Sequence, residues 1–162
     1  MQLLAEAEDL PIPDGEIPPG DESNRLHRWG YAKYHQMFGD RQLLGLGLLL
    51  RRVMAVKDAP VRQALLTVFS DFLRYQNMLC RYDTYALKCQ DIFSVHGFPV
   101  GLIQCEDNLL GIPGIGSGSY RHFIEKYLRA KEYCLRPFET AWDGARKRVV
   151  AISGESIAAE LV

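Results

Sequence analysis

The sequence predicts a mainly α-helical fold: a helical hairpin plus a third helix, with a short strand near the C-terminal end. Three observations carry this reading. Two amphipathic stretches are separated by a short link, a serine precedes an apolar pattern from Tyr120, and a single β-branched run, RVVAIS, stands at 148–153. At 162 residues, 48% hydrophobic and 24% charged, the chain suits one domain or one large piece of a longer protein, with a core to bury.

Residues 1–24 read as an extended, solvated arm or linker. LPIPDGEIPPGDESN concentrates proline, glycine and acidic residues, and its prolines block helix and interior strand. Such a beginning suggests a fragment cut from a longer protein. Residues 25–140 read as a helical domain. In it Asp40 is expected to cap a helix through RQLLGLGLLLRRVMAVK, with Leu43, Leu44, Leu46, Leu50, Val53 and Met54 on its apolar side. Gly45 and Gly47 each weaken that helix by about 1 kcal/mol relative to alanine, so close approach of another backbone is expected there.

Pro60 opens a second helix, PVRQALLTVFSDFLRYQNMLCRY, whose Val61, Ala64, Leu65, Val68, Phe69, Phe72 and Leu73 recur at spacings of three and four. A short link makes the pair an antiparallel hairpin. The next stretch, LKCQDIFSVHGFPVGLIQCEDNLLG, is expected to open as a short helix, break at His96-Gly97 and Pro99, and run irregularly to Asn108. Ser119 caps a third helix, YRHFIEKYLRAKEYC, and Arg136-Pro137 ends it. Residues 141–162 read as the start of an incomplete α/β unit, with RVVAIS as its strand and GES after it.

Charge and cysteine usage narrow the partners. Nineteen basic against twenty acidic residues give a net charge of −1, so any nucleic-acid contact rests on local clusters. Cys80, Cys89, Cys105 and Cys134 lack paired Cys-x-x-Cys spacing and the histidines lack His-x-x-x-His spacing, so no metal is expected. Reduced cysteines, an acidic MQLLAEAEDL start and an apolar run too short for a bilayer suggest a cytoplasmic protein away from membranes.

The stretch LLGIPGIGSGSYRHF is the most ligand-like. Gly114, Gly116 and Gly118 give Gly-x-Gly-x-Gly rather than a dinucleotide fingerprint, a poor strand precedes them, and no Lys-Ser/Thr pair makes a P-loop. Two readings stand: a flexible approach to a capped helix, or a helix N-terminus that holds a DNA phosphate with Ser117, Ser119 and Arg121. Arg41 and Gln42 open their helix either as a surface pair or as readers of a base edge or phosphate. Arg51-Arg52 and residues 146–148 are basic clusters that suit phosphate or solvent alike. Arg81 is expected to pair with Asp83 or to stack on an aromatic, and Glu106-Asp107-Asn108 to form a turn.

The stretch WGYAKYHQMFGDRQLLGLGLLLRRV resembles a segment of large prokaryotic adenine-specific DNA methylases, those with an N-terminal domain of unknown function and often a zinc-ribbon insert. Trp29, Gly30, Met37, Phe38, Arg41, Gln42, Leu43 and Leu44 follow that family's Tyr-Gly, Leu-Phe and Arg-Gln-Leu-Leu pattern. The resemblance continues through LCRYDTYALKCQDIFSVHGFPVGLIQCEDNLLG and GSGSYRHFIEKYLRAKEYC, in order, over roughly residues 10–135.

It implies a fragment of a larger α/β methyltransferase that transfers methyl from S-adenosylmethionine to an extruded adenine amine. That family's cofactor glycine motif lies upstream of this segment and its Asp-Pro-Pro-Tyr motif downstream. Neither is in this sequence, so no catalytic or cofactor-binding residue is assigned here. The expected role is a DNA-engaging or structural insert, with DNA and the remaining methyltransferase domain or subunit as partners. Its expected DNA contacts are Arg41, Gln42, Ser117, Ser119 and Arg121. The rival reading is a helical interaction scaffold that never touches nucleic acid.

Overall fold

The computed structural model describes residues 10–100, 104–115 and 117–153. The chain divides into two compact units, Met1–Ile124 and Glu125–Val162. Among the described residues the mainly α reading holds in part: the α-helices are accompanied by two small antiparallel two-stranded sheets, which makes the fold mixed α/β.

In the first unit, α1 (Ser23–Arg28) precedes the expected hairpin of α2 (Asp40–Met54) and α3 (Ala59–Phe72), which pack together. Gly39, not Asp40, caps α2: the Gln42 side chain reaches back, and its Oε1 accepts the Gly39 N–H at 2.9 Å. A glutamine at the third helical position satisfies a backbone donor that the helix itself leaves open. At α3 the Asp58 carboxylate accepts the Val61 N–H at 2.9 Å, with Pro60 in the first turn as expected.

Helix α3 stops ten residues short of the expected Tyr82, passing through a 3-10 turn at Leu73–Tyr75. Asn77 causes the stop. Its Nδ2 donates to the carbonyls of Leu73 and Arg74, and its Oδ1 accepts the Leu79 N–H at 3.0 Å. The two glycines of α2 meet side chains rather than a backbone: Gly45 faces Leu109 and Gly47 faces Leu10.

The arm is not solvated throughout. Ile17 is buried in a core with Leu26, Met37, Leu79, Ile92 and Val100. Ile17 N–H donates to Ala32 at 2.8 Å, Tyr34 N–H donates to Gly15 at 3.1 Å, and Lys33 pairs with Asp14 at 2.7 Å. Apolar burial of one isoleucine plus a short antiparallel bridge fixes what composition alone reads as linker. Residues 1–9 of the expected arm lie outside the described residues.

Where the stretch from Leu87 was expected to open as a short helix, the chain forms β2 (Lys88–Gln90), paired with β1 (Arg81–Asp83), whose first residues were expected to end the second helix. Asp83 closes their turn by accepting the Tyr85 and Ala86 N–H groups, and those bonds hold its carboxyl below the usual range. No direct Arg81–Asp83 pair is needed: Gln90 bridges them, accepting from Arg81 at 2.6 Å and donating to Asp83 at 2.5 Å.

Helix α4 (Tyr120–Leu135) begins in the first unit. Its Tyr120 and Phe123 rings meet Phe72 edge-on at 5.3 and 6.2 Å, and the Tyr120 hydroxyl donates to Leu65 O at 3.1 Å. In the second unit the expected strand is one half of a hairpin, β3 (Phe138–Trp142) with β4 (Lys147–Ala151). Asp143 accepts the Ala145 and Arg146 N–H groups at the turn, and Tyr133 meets Phe138 edge-on at 5.1 Å. The GES segment lies outside the described residues. Among those described, no helix is long and apolar enough to cross a membrane.

Candidate functional site

Two stretches singled out in the sequence, 41–42 and 117–119, are brought together by Gln76 and the segment 106–109. Gln76 follows the 3-10 turn that ends α3, is fully buried, and donates from Nε2 to Gly118 O at 3.1 Å. Leu109 O accepts the Tyr120 N–H at 2.9 Å, which fixes the start of α4 against 106–109. On the opposite side Glu106 accepts a two-nitrogen contact from the Arg41 guanidinium.

Arg41, Gln42, Gln76, Glu106, Asp107, Asn108 and Leu109 line one cavity of about 380 Å³. Gln42 is 4% exposed and Gln76 0%, yet Gln42 Nε2 and Gln76 Oε1 have no hydrogen-bond partner. Their orientations are fixed by the other half of each amide, which caps Gly39 in one case and bonds Gly118 in the other. A buried polar atom without a partner costs roughly 1–3 kcal/mol. Both of these atoms are closed off from solvent within the packing of the first unit.

Asp107 adds a carboxyl to this wall. Burial raises its pKa, and the Asn108 N–H donating to its Oδ1 at 2.8 Å only partly offsets that. A methyl group at Gly118 would overlap Asp107 Oδ2 and crowd the Tyr75 ring, so the carboxyl lies hard against the backbone at the start of α4.

The five expected DNA contacts therefore occupy different settings. Arg41 is exposed and paired with Glu106. Gln42 is buried and serves as a capping residue of α2. Ser119 is also buried, and its Oγ accepts the His122 N–H at 3.4 Å as the expected cap of α4. Ser117 is exposed, and Arg121 is exposed on the first turn of α4. The basic cluster 51–52 lies in the last turn of α2, and residues 146–148 belong to the hairpin of the second unit.

The glycine stretch departs in its spacing from a dinucleotide fingerprint. No named strand leads into it among the described residues, Ile112 and Ile115 close a small turn, and Leu110, Ile112 and Ile115 face solvent. Gly111 adopts φ +86°, and a side chain there would strike Ser119, so glycine serves packing at this point. Gly116 lies outside the described residues.

Sequence reasoning did not single out Gln76, because it falls inside the longer helix the apolar spacing predicts. It also did not foresee a cluster of thiols. Arg81 pairs with Gln90 on one side and Gln104 on the other, and Cys105 N–H donates to Cys80 O at 3.1 Å. Cys80, Cys89 and Cys105 consequently share one face of this short ladder. All three are free thiols. The neighbouring Cys89 thiol draws the Cys80 pKa down by hydrogen bonding, while Cys80 and then burial push Cys89 up. No group of three or more histidine, cysteine or acidic side chains among the described residues is arranged to hold a metal ion. Comparison with family models, with curated proteins and with solved structures finds no match to this chain.

Proposed function

We propose that the chain is the DNA-engaging insert of an S-adenosylmethionine-dependent, adenine-specific DNA methyltransferase, acting in the cytoplasm without catalytic residues of its own. The observation that carries this is convergence. Arg41 and Gln42, which match the methylase-like Arg-Gln-Leu-Leu stretch, share one cavity wall with Gln76, which bonds the Gly-Ser turn that starts α4. Two separated parts of the resemblance thus build a single polar site. Arg41 and Arg121 supply backbone attraction near it, and the methyl donor and the adenine-amine chemistry belong to the remaining domain or subunit.

Binding of a short duplex to the full chain at two salt concentrations tests the reading. Affinity falls with salt, and each phosphate contact removed flattens the log–log slope by about 0.9. Arg41→Ala with Arg121→Ala therefore weakens binding and makes it less salt-sensitive. Salt-independent or undetectable binding by the parent chain refutes the DNA reading.

One observation favours the rival scaffold reading. In the second unit Leu128, Tyr133, Leu135, Phe138, Trp142, Val149 and Val150 are all exposed, a large apolar area for one helix end and one hairpin. Chains that associate through this surface without binding DNA would support the scaffold.

A further inference from the structure

We infer that Cys89 and Cys105 form a redox pair, which a peroxide closes to a disulfide and a small dithiol reopens. The pair stands independently of the DNA-engaging reading, because the backbone ladder places it. Tyr82 lies opposite Cys89 in the β1–β2 register, and side chains two positions apart on a strand share a face, which puts Cys80 with Cys89. On the other edge Arg81 bridges Gln104, and the Cys105 N–H donates to Cys80 O at 3.1 Å. Cys105 therefore joins the same face, and the Cys89 thiol lies within hydrogen-bonding reach of both others.

Burial and hydrogen bonding single out one pair among the three. Cys80 is fully buried, and its thiol donates to Arg74 O at 3.2 Å. Cys89 and Cys105 are half-buried, so a water-sized oxidant reaches them before Cys80. Burial pushes the Cys105 thiol up, and Cys80 together with burial pushes Cys89 up. Both stay protonated near neutral pH, so the pair is reduced at rest and yields only to a strong oxidant.

Hydrogen peroxide supplies that oxidant. The Cys105 thiolate attacks one peroxide oxygen, the O–O bond breaks, and hydroxide leaves and takes up a proton, which makes Cys105 a sulfenic acid. The Cys89 sulfur then attacks the Cys105 sulfur. The S–S bond forms, the S–O bond breaks, and the departing hydroxide takes the Cys89 proton as water. The two sulfurs together give up an electron pair, and the peroxide accepts it. The new bond ties β2 to the segment that carries Glu106, the partner of Arg41.

The test uses the full chain with Cys134→Ser, which removes the exposed thiol and with it links between chains. The chain is treated with hydrogen peroxide, blocked with iodoacetamide in denaturant, digested with trypsin and chymotrypsin, and read by mass spectrometry. Chymotryptic cleavage after Phe93 or Phe98 separates Cys89 from Cys105. The expected product is a Cys89 peptide joined to a Cys105 peptide, separated by dithiothreitol, with Cys80 recovered as a blocked thiol. Closing this short loop is expected to raise the melting temperature by about 5 °C over the reduced chain.

Cys105→Ser is expected to lose both the link and the rise. Where that variant melts early, the oxidised and reduced forms of the Cys134→Ser chain, which differ in the one bond, still decide. A link from Cys80 to either thiol overturns the pair. So does sulfinic acid at Cys105 without a link, or an oxidised chain that melts no higher than the reduced one.

Discussion

The carboxyl of Asp107 lies against the backbone at Gly118 and carries a pKa raised by burial, with only the Asn108 N–H offsetting it. The folded chain therefore binds this proton more tightly than the unfolded chain, whose carboxyl stays near 3.8. Folding is unpenalised at pH well below 3.8 and loses stability as pH rises through the raised value. Asp107→Asn removes the ionisation and keeps an oxygen for the Asn108 N–H. Thermal melts should show the variant more stable than the parent at pH 7, with the difference shrinking towards pH 3.8. A difference that does not change with pH would contradict the burial of this group. Nothing in the order Glu106-Asp107-Asn108 displays that burial. Those residues read as a turn, and the desolvation comes from Gly118 and Tyr75, which are distant in sequence.

At the scale of elements, Asn77 decides where α3 ends and so where Gln76 points. The apolar spacing that predicts a helix to Tyr82 continues past Phe72, and periodicity carries no stop signal strong enough to end it there. The stop comes from one buried amide that binds the Leu73 and Arg74 carbonyls and the Leu79 N–H. Asn77→Ala should cost about 2–3 kcal/mol in denaturant unfolding, because it strands several buried backbone groups. A loss below about 0.5 kcal/mol would show that water replaces those bonds. The helical hairpin, Pro60 and the Ser119 cap were legible because each is a local signal. The β1–β2 hairpin was not, since three-residue strands are too short to display a period of two. The strand near 148–153 was legible, but its partner β3 was not, because Phe138–Trp142 follows Arg136-Pro137 without an alternating pattern.

For the whole molecule, burial ranks the four thiols in a way their spacing cannot. Cys80 is buried, Cys89 and Cys105 are half-buried, and Cys134 is exposed. Brief native iodoacetamide treatment followed by mass spectrometry should label Cys134 first and leave Cys80 unlabelled until the chain unfolds. Equal labelling of Cys80 and Cys134 would contradict the packing of the first unit.

What the sequence by itself determined is the set of local features: the amphipathic helix pair, the capped third helix and the near-neutral charge. These depend on residues within a few positions of one another, where propensity and side-chain spacing act directly. What only the tertiary structure decided is the site. Gln42, Gln76 and Asp107 lie far apart in the chain and share a cavity because α2, the end of α3 and the segment before α4 pack together. The half-used amides of two glutamines become meaningful only once burial removes the water that would satisfy them in the unfolded chain.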